Sequence, residues 1–69
     1  MDPEKIVALA NQIAENQQCY PEEKAVAITA NHITMFWEPR MIAILRNLQA
    51  PLKESLHPYV QKALEQGSF

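Results

Sequence analysis

The side chains in this sequence that could do chemistry are Cys19, His32 and His57, with Glu38 and Arg40 following His32 in the stretch HITMFWEPRM. Nucleophilic, phosphate-binding or redox chemistry would call for a Ser–His–Asp set, a glycine-rich loop or a Cys-x-x-Cys pair, and none of these occurs. His32 and Glu38 stand six residues apart, not the three or four that bring side chains together on one helix. Cys19 has no basic neighbour in sequence to favour its thiolate. One cysteine and two histidines, widely separated, do not make the four-ligand spacing of a zinc site. His32 therefore reads as a structural side chain on a helix flank. His57, directly before Pro58, reads as a helix N-cap engaged in local hydrogen bonding. No catalytic, cofactor-binding or metal-ligating residue is expected on this chain.

The elements that carry these residues must fit into 69 residues, enough for one domain spanning 1–69. A chain of this size buries only about 60% of the surface its unfolded form exposes. Small domains of this kind usually need a staple. A single cysteine rules out an internal disulfide, which leaves a partner chain or unusually good helix packing. The net charge of −2 and six scattered Lys and Arg residues argue against nucleic acid, which rewards basic patches. No apolar run approaches the roughly 20 residues that span a bilayer, and MDPEK lacks the features of a signal peptide. With a lone cysteine added, the expectation is a soluble cytoplasmic protein.

Proline punctuates the chain into helices. Pro3, Pro21, Pro39 and Pro58 each suit a first helical residue, where the missing N–H costs nothing. A first helix is predicted over about 3–17, capped by Asp2, with Ile6, Leu9, Ala10 and Ile13 as its buried stripe and Val7 and Ala14 flanking it. A second should run from Pro21 to Glu38, which resists the helical conformation because proline follows it. Val26, Thr29, Ile33, Phe36 and Trp37 share its inner side. A third, over about 39–48, buries Met41, Ile44, Leu45 and Leu48, with Arg40, Ala43, Arg46 and Asn47 facing outward. Residues 49–57 form a connector with room for a short turn. A fourth, over about 58–66, packs Tyr59, Val60, Ala63 and Leu64 and stops at Gly67. The fold class is all-α, a small bundle of about four short helices, with Ile6, Ile13, Ile33, Phe36, Trp37, Met41 and Leu45 as its core.

One helix is unusual for an isolated bundle. From Ala25 to Trp37, thirteen consecutive residues carry no Asp, Glu, Lys or Arg. A surface helix normally bears charge on its outer face. Either this helix is central and wrapped by the other three, or its flank meets another protein. Ile28, His32 and Met35 would form that flank, since methionine suits adaptable contacts and interface cores are depleted of charge. Arg40 joins them as a residue type favoured at interface hot spots. Asn11 and Gln12, on the outer side of the first helix, complete the candidate contact set.

Ala10-Asn11-Gln12-Ile13-Ala14, His32-Ile33, Phe36-Trp37, Pro39-Arg40-Met41 and then Leu56, Pro58, Val60, Ala63 and Leu64 together resemble the small delta subunit of NAD-dependent formate dehydrogenase. The resemblance covers about residues 5–66, and its most specific part is H-I-x-x-F-W-[D/E]-P-R-M. It implies an accessory subunit of a soluble cytoplasmic complex that oxidises formate to carbon dioxide and passes electrons to NAD. In such a complex the alpha subunit carries a molybdenum or tungsten pterin and iron–sulfur clusters. The beta and gamma subunits carry FMN and further clusters, and the delta subunit carries no cofactor. The alpha subunit and its companions are the implied partners, for assembly or stabilisation. Three positions depart from the family pattern. Glu38 stands where Asp is usual, Glu15-Asn16-Gln17 stands where an aromatic pair often follows ANQIA, and His57 stands where Asp often caps the last helix. Two other readings exist beside this one. One is a self-associating helical module, homo-oligomeric in isolation, with a regulatory role outside any dehydrogenase. The other is a small metal- or redox-active protein using Cys19, His32 and His57.

Overall fold

The computed structural model describes residues 2–69. It contains four α-helices, α1 (Pro3–Glu15), α2 (Glu22–Phe36), α3 (Pro39–Arg46) and α4 (Pro58–Glu65), with a 3₁₀ turn at Lys53–Ser55 in the connector before α4. Among the described residues there is no strand. The local chemistry explains each boundary. The Asp2 carboxylate accepts from the Glu4 N–H at 3.1 Å and caps α1, satisfying one of the orphan donors of the first turn. Pro39 and Pro58 occupy first-turn positions in α3 and α4. Pro21 sits one position earlier than expected, as the N-cap of α2. Trp37 and Glu38 are extended, with ψ of 144° and 152°, because Pro39 pushes the residue before it out of the helical region. At the far end, Gly67 adopts φ +71°. Its N–H donates to Leu64 O, and the Ser68 N–H donates to Ala63 O, both at 3.1 Å. This paired arrangement closes α4 and needs a residue that tolerates the left-handed region.

The core centres on α1, which packs against each of the other three helices. Ile6, Val7, Ala10 and Ala14 are buried. The stripe is thus rotated toward Val7 and Ala14, and Leu9 and Ile13 sit half-buried at its edge. Ile33, Leu45, Leu48, Leu56 and Val60 complete the main cluster, with Trp37 and Met41 half-buried against it. The most extensive helix pairing is α2 on α4. Ala25, Ala30 and Ala63 lie buried on these two helices, and small side chains allow axes to approach toward the short end of the usual 8–10 Å range.

This arrangement removes one of the two alternatives for the uncharged helix and corrects one expectation. The central helix is α1 and not α2, because α2 packs on α1 and α4 but has no extensive contact with α3. Phe36, expected in the core, is 70% exposed. As the last residue of α2 it lies where the chain turns toward α3, so its ring points past the edge of the bundle.

Thr29 is fully buried on the inner face of α2, and among the described residues its hydroxyl has no hydrogen-bond partner. A buried unpaired polar group costs about 1–3 kcal/mol. Thr29→Val keeps the branched shape and removes the hydroxyl. It should raise the urea midpoint of unfolding, by about 1 kcal/mol of stability. An unchanged or lowered midpoint would show that the hydroxyl is satisfied in solution.

Candidate protein-docking surface

The uncharged stretch of α2 divides into two faces. Ala25, Val26, Thr29, Ala30 and Ile33 are turned inward. At 100° per residue, Ile28, His32, Met35 and Phe36 fall on one adjoining stripe. Ile28 is half-buried, His32 is exposed, and Met35 and Phe36 are 66% and 70% exposed. His32 and Phe36 stack at a tilt, with ring centroids 4.9 Å apart. The stripe therefore presents a continuous apolar and aromatic ridge to solvent. Beside it, the Thr34 hydroxyl is within 3.0 Å of both Ala30 O and Asn31 O, so it is engaged within its own helix.

The charges of α2 are confined to its first turn, and two of the three are engaged there. Glu22 forms an ion pair with Lys62 of α4, and the Lys24 ammonium lies 5.1 Å from the centroid of the Tyr20 ring. The Glu22 carboxylate, through its hydrogen bond and its charge, raises the Lys62 pKa above the ordinary lysine value. Both partners are about half exposed, so the contribution to stability is small.

The other expected contact residues separate. Arg40, in the first turn of α3, is exposed. Among the described residues no carboxylate lies within ion-pair distance of it, so its guanidinium is available. Gln12 is exposed on α1. Asn11 plays a different part from the one expected. Its Nδ2 donates to Ser55 O at 2.9 Å, and its Oδ1 accepts from the His57 N–H at 2.7 Å. Both ends of the amide thus tie α1 to the segment leading into α4. His57 does cap that helix, its Nδ1 accepting from the Tyr59 N–H at 3.1 Å. Asn11→Ala removes both links and leaves a part-buried N–H without a partner. It should lower stability by about 1–3 kcal/mol, read from urea unfolding followed by circular dichroism. A cost near zero would return Asn11 to the list of contact residues.

No cluster of three or more His, Cys, Asp or Glu side chains suited to holding a metal ion occurs among the described residues. Cys19 is a free, exposed thiol. No described helix is long and apolar enough to cross a membrane.

The model of a protein family, NADH-dependent formate dehydrogenase delta subunit FdsD, matches residues 5–64. The chain belongs to that family. The match takes in all of α2, α3 and the connector and nearly all of α1 and α4, so the exposed ridge is part of the FdsD unit. No match was found among curated proteins or among solved structures.

Proposed function

We propose that this FdsD chain is a non-catalytic accessory subunit that docks through the outer stripe of α2 onto another subunit of an NADH-dependent formate dehydrogenase. The observation that carries this reading is the charge-free ridge of exposed His32, Met35 and Phe36 with half-buried Ile28 at its end. Contiguous exposed apolar side chains on a small soluble domain mark contact sites, and a family of enzyme subunits supplies the class of partner. Docking supports the fold as well, since a partner that binds only the folded form stabilises it by mass action. In this reading the alpha subunit is the first partner to test, and the complex is cytoplasmic. The pterin metal, iron–sulfur clusters, FMN and NAD belong to the larger subunits. The role of this chain is assembly or stabilisation of the complex.

Co-expression of the chain with a tagged alpha subunit and its companions tests this directly. The chain should co-purify, and its omission should lower the yield or formate-oxidising activity of the complex. If it neither co-purifies nor changes either quantity, the reading fails. A stable homodimer that persists beside the untouched complex would support self-association instead.

A further inference from the structure

Away from the α2 ridge, a cleft of about 340 Å³ opens between the end of α3, the 3₁₀ turn and α4. Arg46 and Lys53 bring two cations to its wall, and Glu65 brings one carboxylate. Among the described residues the one ion pair is that of Lys62 with Glu22, so neither cation of the cleft is paired. Leu64 and Phe69 line it as well, and both pack half-buried against the main core cluster. Phe69 reaches this position because the turn at Gly67 reverses the chain after α4. Gln61 is fixed at the cleft by donating its side-chain N–H to Leu56 O at 2.8 Å.

The cleft thus joins two unpaired cations, offset by the one carboxylate of Glu65, to an apolar floor, on a chain whose net charge is −2. Its volume lies at the small end of ligand sites, sufficient for one or two side chains. A guanidinium and an ammonium lining one cleft favour a carboxylate, which arginine can grip with two parallel hydrogen bonds. We propose that this cleft receives an acidic segment of another protein. A Glu or Asp carboxylate meets Arg46 and Lys53, and a neighbouring apolar side chain rests on Leu64 and Phe69. This surface is distinct from the α2 ridge and does not depend on the identity of the partner docked there.

The test uses the isotope-labelled full chain in heteronuclear NMR, titrated with acetyl-Leu-Glu-Leu-amide, its Gln counterpart and sodium acetate. The Glu peptide should shift the side-chain signals of Arg46 and Gln61 and the amide of Phe69 in a saturable manner. The Gln peptide should bind about fivefold more weakly, the upper end of what an exposed ion pair contributes. Arg46→Gln and Lys53→Gln should each remove that preference while the circular dichroism spectrum stays that of the parent. Equal binding of the Glu and Gln peptides would overturn the proposal. So would acetate matching the Glu peptide, shifts confined to α2, or no saturable shift at the solubility limit.

Discussion

Met35→Glu and Phe36→Glu should each detach the chain from the formate dehydrogenase complex without unfolding it. Both side chains are mostly exposed in the free subunit, so replacing them removes little buried area. Surface substitutions of this kind usually change stability by less than about 0.5 kcal/mol. Loss of the tilted contact between Phe36 and His32 adds a cost of about 0.5–1.5 kcal/mol at most. In the docked state the same positions lie at the centre of the proposed interface, and a carboxylate placed there must be desolvated without a partner. Removal of a hot-spot anchor costs about 2–4 kcal/mol, or roughly 30- to 1000-fold in affinity. Ala27→Glu is the control, because Ala27 is exposed on the same helix but away from the ridge. Co-purification should survive Ala27→Glu and fail for the other two. If all three variants stay bound, α2 is not the docking helix. Arg40→Ala should weaken binding less, since an arginine at the rim contributes chiefly to steering and orientation.

The helices were legible in the sequence because their ends are written in local chemistry. Asp2, the prolines, His57 and Gly67 each act within a few residues of where they stand. Apart from Pro21, displaced by one position, their hydrogen bonds or backbone angles lie where expected. What distinguishes Phe36 from Ile33 is not local. Both are large and apolar and lie on neighbouring arcs of α2, so periodicity assigned both to the core. Which arc is covered depends on where α1 and α4 pack, and hydrophobicity alone does not separate a core position from an interface position. The same limit applies to α1. Ala10 read as part of its buried stripe, but Val7 and Ala14 read only as flank and are buried, while Leu9 and Ile13 of the expected stripe are half-buried. Asn11 was legible as a special residue but not in its role, because its partners Ser55 and His57 lie 44 and 46 residues away. The cleft of Arg46, Lys53 and Phe69 left no sequence signal, since three separate segments create it.

Ile33→Ala is the counterpart of the ridge substitutions and should have the opposite consequences. Ile33 is fully buried in the main cluster, and truncating an isoleucine in such a site costs about 2–5 kcal/mol. A 69-residue chain has a total stability of about 3–10 kcal/mol, so the isolated variant loses a large share of its stability and at the low end of that range is unfolded. Trp37, only half-buried against the same cluster, should cost less on truncation than a fully buried tryptophan would. The proposed docking ridge, however, is chemically intact in Ile33→Ala. A partner present at about 100 times its dissociation constant returns about 2.7 kcal/mol to the folded form. The variant alone should therefore lose its helical signal at lower temperature or urea than the parent, yet still co-purify when co-expressed with the complex. The Phe36→Glu chain should be folded alone and absent from the complex. Circular dichroism of the isolated chains and co-purification of the same two variants measure both. If Ile33→Ala stayed folded alone but failed to bind, Ile33 would belong to the interface and the inner and outer faces of α2 would be reversed.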